Sequence, residues 1–168
     1  MNMLDAVKSV LTQYVGFRGR ARRSEYWYWT LATIIASFAV SIVEAAILGI
    51  DGTSPLSGLL SIAIFLPGLA VTFRRLHDTG RSGWWIGGFY LGLLAFFFAI
   101  GALAFGTFTL GEGNTTGSSI FGIIGIIIGM GVILYAISML VFLCTDSDFG
   151  PNKYGPNPKN EGNYDVFE

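Results

Sequence analysis

The stretch FRRLHDTGRSGWW, Phe73 to Trp85, sets three arginines, the only histidine and an aspartate between two long apolar runs. Two chemistries use such residues. His77 beside Asp78 on a loop is the pattern of a general acid with a carboxylate to orient it. Arg74, Arg75 and Arg81 offer planar donor forks suited to phosphate oxygens or carboxylates. A second island, FRGRARRSEYWYW from Phe17 to Trp29, holds Arg18, Arg20, Arg22 and Arg23 together with Glu25. The two islands contain every arginine of the chain.

Other chemistry finds little material. One His and one Cys are too few for the common Cys/His metal sets, and there is no HExxH, P-loop or GxSxG elbow, so no metal and no cofactor is expected. Adjacency in sequence does not set His77 against Asp78 on a helix. Cys144 allows no disulfide within the chain and is expected to be a buried, inert thiol.

The elements that must carry these residues follow from composition. The 168 residues are 52% hydrophobic and only 12% charged, where soluble domains carry about a quarter charged residues. Four runs are long enough to cross a hydrocarbon core of ~30 Å, which takes roughly 20 helical residues. They are 26–50, 55–73, 84–108 and 119–144, flanked by a segment 1–25 and a tail 145–168. The expected fold is all-α, a single membrane domain (1–168) with a four-helix bundle. Pro67-Gly68 reads as a kink, with the freed carbonyl satisfied by a neighbour. Trp27, Trp29, Trp84 and Trp85 stand where interfacial aromatic anchors belong. The first run is too long for a secretory signal core and lacks a small-x-small cleavage site.

All ten Lys and Arg fall in 1–25, in the loop between spans two and three, or in the tail. With four spans these regions share one side, which the positive-inside rule makes cytoplasmic, with both termini there. The opposite loops hold Asp51 and Glu112 and no Lys or Arg. Residues 1–25 carry five basic side chains against Asp5 and Glu25, a net of +3, and the tail from Asp146 carries −3.

Within 1–17, Leu4, Val7, Leu11, Tyr14 and Val15 recur at helical spacing opposite Asp5, Lys8, Ser9, Thr12 and Gln13, the pattern of an amphipathic interfacial helix. The alternative is a helix packed under the bundle. Gly83-x-x-x-Gly87, Gly88-x-x-x-Gly92 and Gly125-x-x-x-Gly129 suggest that spans three and four touch. Glu44 is the one ionisable residue inside a span. Seventeen residues from Trp27, at ~1.5 Å each, put it about 25 Å across, near the outer edge. No cation of the chain reaches it there. It should be protonated, bonded to Ser or Thr, or directed at headgroups, and amidation at 44 should be nearly silent.

The islands and the tail's GPNKYGPNP resemble the signatures of the small bacterial inner-membrane proteins grouped as domain of unknown function 805, the YhaH-like family. The resemblance spans essentially the whole chain. Its motif positions are Phe17, Gly19, Arg20, Arg23, Glu25, Tyr26 and Trp27; Arg74, Arg75, Leu76, His77, Asp78, Gly80, Ser82, Gly83 and Trp84; and Gly150, Asn152, Tyr154, Gly155 and Pro158. It implies a four-helix inner-membrane protein and assigns no activity. Asn157 departs from the acidic residue expected before the proline, although Asn supports the same turn.

The expected function is binding or structural. Arg18, Arg20, Arg23, Glu25, Arg74, Arg75, His77, Asp78 and Arg81 would form a rim cluster for membrane lipids with anionic headgroups, or for a membrane-protein partner or a second copy of the chain. An internal salt-bridge network through Glu25 and Asp78 is compatible with either. No nucleic-acid partner and no enzymatic activity is expected. A small transporter or channel subunit is the alternative, weakened by a midplane poor in polar residues. An intramembrane enzyme using His77 comes third.

Overall fold

The computed structural model describes residues 1–49, 54–110 and 115–160, and the side chains of all of these except 107–110, 115–119 and 121. Five helices follow in order: α1 (Met3–Thr12), α2 (Arg23–Leu48), α3 (Pro55–Asp78), α4 (Trp84–Leu110) and α5 (Thr115–Cys144). Among the described residues there is no strand, only an isolated bridge between Asn152 and Gly155. Four helices, α2 to α5, are long and apolar enough to cross a membrane. Asp51 and Glu112 lie outside the described residues. The chain divides into two compact units, Met1–Gly83 with Leu143–Glu168, and Trp84–Phe142.

In the first unit, α2 and α3 pack against each other and α1 packs against both. Asn2 and Asp5 close a reciprocal capping box that starts α1. Val10, Ala21, Trp29 and Val71 form the buried core, with Val7, Tyr26 and Ile64 against it. Of the two expectations for α1, packing against the helices accounts for Ala6 and Val10, both fully buried. Its Leu4 and Leu11 stay exposed, as does Val15 in the turn that follows. Leu4 and Leu11 fall within one narrow arc of the helix, an apolar stripe of the kind that faces lipid. Trp29, placed at the interface by its sequence context, is buried in the core instead, because its position on α2 faces Val71 and Val10.

The helix of the second run does not stop at Phe73. It continues through Asp78 and carries Arg74, Arg75, His77 and Asp78 on its last turns rather than on a loop. Pro67 sits inside this helix. The carbonyl it leaves without an N–H, that of Ala63, accepts the Tyr14 hydroxyl at 2.5 Å. Gly83, read as part of a helix-packing motif, is required for another reason: a Cβ there would stand 1.9 Å from the Phe73 ring.

In the second unit, α4 and α5 meet as expected, by aromatic side chains laid on glycine. A Cβ at Gly88 would lie 2.6 Å from the Tyr135 hydroxyl, and one at Gly129 2.8 Å from the Phe96 ring. The Tyr135 hydroxyl donates to the Trp85 carbonyl at 2.8 Å. Trp85 packs its ring on Tyr135 and Phe142. Trp84 is strongly exposed and Trp27 moderately so, as anchors require.

Candidate functional site

The arginine-bearing ends of α2 and α3 and the segment after α5 converge on Asp78. A helix repeat of 3.6 residues puts Arg75 and Asp78 on one face, and Arg75 Nη1 donates to Asp78 Oδ2. Arg20 reaches the same carboxylate from the turn before α2, with Nε 2.9 Å from Oδ1. Gly19, at φ +86°, makes that turn, and the Ala21 N–H fastens it to the Arg74 carbonyl at 3.0 Å. The Ser147 hydroxyl donates the third bond to Asp78. Asp78 and Arg75 are fully buried.

The other donors of Arg20 and Arg75, and Nε of Arg22, end on backbone carbonyls. Arg20 Nη1 meets the Gly150 carbonyl and Nη2 the Asp148 carbonyl, each at 2.7 Å. Arg22 Nε meets that of Pro158 at 2.6 Å. Arg75 Nε and Nη2 donate to the carbonyls of Leu143 and Thr145, groups that the end of α5 leaves without helical donors. Cationic donors there also oppose the negative end of the helix dipole. The Asp148 N–H returns a bond to the Asp78 carbonyl at 3.0 Å. Residues 143–158 are therefore clasped by three guanidinium groups.

His77 faces away from this centre. Its Nδ1 lies 3.2 Å from the Gly19 carbonyl, and its ring stacks on Tyr154 at 3.9 Å and 6°. His77 and Asp78 thus serve different partners, and no acid with an orienting carboxylate is assembled from them. Asn152 donates to the His77 carbonyl at 3.0 Å. Asn157 is buried, donates to the Asp148 carbonyl at 3.1 Å and accepts the Lys159 N–H at 2.8 Å. A carboxylate at 157 could make only the second bond, which is the physical content of that departure.

Glu25 is buried and joins three elements. Its Oε1 accepts Arg74 Nη1 at 3.1 Å and the Ser9 hydroxyl of α1 at 3.0 Å. Arg74 is buried too, and its Nε and Nη2 meet no acceptor among the described residues. Arg18 and Arg23 are exposed, Arg23 with one long bond to the Cys144 carbonyl at 3.4 Å. Arg81 donates to the Thr79 carbonyl at 3.2 Å. Cys144, expected to be buried, is exposed. Among the described residues no group of His, Cys, Asp and Glu is placed to hold a metal ion.

At the other end of the hairpin, Glu44 accepts the N–H groups of Leu56 at 2.5 Å and Ser57 at 3.1 Å, and the Ser57 hydroxyl. These are first-turn donors of α3, whose N-cap Ser54 makes no side-chain cap. The isolated carboxylate is a cap supplied by the neighbouring helix. Between α2 and α3 a groove of about 540 Å³ is lined by Thr33, Ser37, Ser41 and Ser57 with Ile34, Phe38 and Ile64. Thr33 and Ser41 already bond carbonyls of their own helix. Sequence reading missed this stripe because single hydroxyls three and four residues apart scarcely change hydropathy. It also missed Arg22, Ser147 and Tyr14.

Comparison with known proteins gives consistent results. The family model described as "Protein of unknown function (DUF805)" matches residues 14–156. Inner membrane protein YhaI of Escherichia coli K12 is 38% identical over 90% of this chain and 92% of its own. Inner membrane protein YhaH of the same strain is 35% identical over 94% of this chain and 99% of its own. No solved structure matches.

Proposed function

Because this chain belongs to the DUF805 family and is an integral inner-membrane protein, we propose that it acts by binding rather than catalysis, as a membrane-anchored platform that holds anionic lipid headgroups. The arginine-bearing face is cytoplasmic in this reading, which the distribution of Lys and Arg supports. One observation carries it: within a single stretch, Arg20 and Arg22 are committed to the clasp while Arg18 and Arg23 stay exposed near the exposed Trp27. An exposed guanidinium at the depth of an interfacial tryptophan meets phosphate oxygens.

Native mass spectrometry from nanodiscs containing phosphatidylglycerol reads the outcome. Wild type should retain anionic lipid, and the Arg18→Ala/Arg23→Ala protein should lose it at unchanged melting temperature. Equal retention by both defeats the headgroup reading, and a co-purifying acidic protein released by the same variant replaces the lipid by a protein partner. For orientation, a cysteine at Thr115 in a Cys144→Ser background should be labelled by an impermeant reagent from outside the cell.

A further inference from the structure

The clasp leaves one guanidinium edge unused. In a guanidinium, Nε–H and the adjacent Nη2–H point in parallel and take two oxygens side by side. On Arg20 that edge meets Asp78 Oδ1 through Nε and the Asp148 carbonyl through Nη2. On Arg75 it meets the carbonyls of Leu143 and Thr145. On Arg74 the same pair is buried and meets no acceptor among the described residues, while Nη1 is held by Glu25.

Charge points the same way. At this end of the helices the buried charged side chains are Arg20, Arg74 and Arg75 against Glu25 and Asp78. One positive charge is therefore in excess, in a place where an uncompensated ion is strongly unfavourable. Glu25 balances Arg74 while Arg20 and Arg75 share Asp78, so a monoanion bearing two oxygens at the Arg74 edge would satisfy the open donors and offset the excess of the cluster as a whole.

The geometry points to Arg74 as an oxyanion site beneath α1, taking a phosphate-type group through Nε and Nη2. The cover over it is one short helix, tied to the spot by few polar bonds. Ser9 of α1 meets the Glu25 oxygen that also takes Arg74, and Val10 and Ala6 of the same helix are fully buried. Apart from this apolar contact, the polar ties from α1 and its following turn to α2 and α3 are the Ser9–Glu25 and Tyr14–Ala63 bonds. Displacement of α1 opens the edge, and an oxyanion then replaces the protein's own lack of an acceptor. The site is separate from exposed Arg18 and Arg23 and stands or falls without them. A lipid phosphodiester and free phosphate present the same two oxygens.

Glyoxal, a small dicarbonyl, modifies arginine side chains and can be read peptide by peptide on the full chain in detergent micelles. Three conditions are compared: maltoside detergent alone, which carries no phosphate, the same with phosphatidylglycerol, and the same with inorganic phosphate. With the oxyanion about tenfold above its Kd, mass action leaves about a tenth of the sites free, so modification of Arg74 should slow about tenfold. Protection by phosphatidylglycerol alone identifies a lipid, and protection by phosphate identifies the free ion. Equal Arg74 rates in all three conditions overturn the proposal, as does complete inertness in phosphate-free detergent, which would mean that the edge is closed even to a small reagent. Arg74→Lys keeps the charge and removes the parallel edge, so the rise in melting temperature on adding the protecting oxyanion should vanish. Arg18→Ala/Arg23→Ala should keep that rise. A rise undiminished in Arg74→Lys overturns the assignment, and if this variant does not fold, the wild-type protection pattern decides.

Discussion

The Tyr14 hydroxyl donates to the Ala63 carbonyl, four residues before Pro67, where the proline ring leaves a carbonyl without its helical donor. Ala63 lies eleven residues from Arg74, about 16 Å along the helix, so the turn after α1 reaches into the apolar zone. Tyr14→Phe should lower stability in detergent by about 1–3 kcal/mol, the range for stranding an acceptor away from water. Pro67→Ala restores the missing N–H, so Tyr14→Phe in that background should cost much less. A coupling of about 1 kcal/mol between the two sites checks this, and equal costs in both backgrounds would remove the hydroxyl from the account.

Capping by Glu44 reverses the expectation that amidation there is nearly silent. Gln keeps one acceptor oxygen, turns an NH2 donor toward groups that are themselves donors, and removes the charge that suits a helix N-terminus. Glu44→Gln should melt lower by about 1–2 kcal/mol, the size of a lost N-cap, and Ser57→Ala by less. Identical melting of Glu44→Gln and wild type would return Glu44 to a carboxyl directed at headgroups.

The spans were readable because a hydrocarbon core needs a minimum apolar length, and four runs met it. Their ends were less readable. Hydropathy reports where the apolar zone stops, while the hydrogen-bond ladder of α3 runs on through Arg74 to Asp78. Periodicity announced α1 but not which side packs: Ala6 and Val10 are buried, and the bulkier Leu4 and Leu11 are exposed. The pairs of arginine with Glu25 and Asp78 were anticipated, since those were the acidic residues within the islands. The carbonyl partners of Arg20, Arg22 and Arg75 were not, because a backbone carbonyl carries no residue signature. Glu44 was ambiguous for a related reason: its donors lie 12 and 13 positions away, on the next helix.

At the surface of the tail, the Lys159 ammonium sits 2.6 Å from Asp146 Oδ1. This bond, with the Ser147 N–H as a second donor, holds the Asp146 carboxyl below its ordinary range. A depressed carboxylate pKa adds stability above the unfolded value, and that share is lost as pH falls through the folded one. Both groups are open to solvent, so the share is small. Lys159→Ala should move the carboxyl resonance titration of Asp146 upward and barely change melting. An unmoved titration would mean that the ion pair is not populated in solution.

Asp78 offers the sharpest test of the clasp. Its carboxylate pairs with both Arg20 and Arg75 where water does not reach, and it also accepts Ser147. Asp78→Asn removes the charge, keeps one acceptor oxygen and points an amide donor at a guanidinium. Breaking a buried pair in this way costs about 3–5 kcal/mol, because the partner charges stay behind. Arg20 then loses the anchor that aims its other donors at the Asp148 and Gly150 carbonyls, so the damage should spread to the tail before it reaches the spans. The expected result is a lower melting temperature in detergent, faster proteolysis within residues 145–160, and α2 and α3 still protected. Arg75→Lys keeps the charge and loses the two-carbonyl grip on Leu143 and Thr145, so it should fall between wild type and Asp78→Asn. Arg18→Ala should change neither readout. If Asp78→Asn leaves the tail as resistant as in wild type, residues 143–158 are held by something other than the guanidinium clasp.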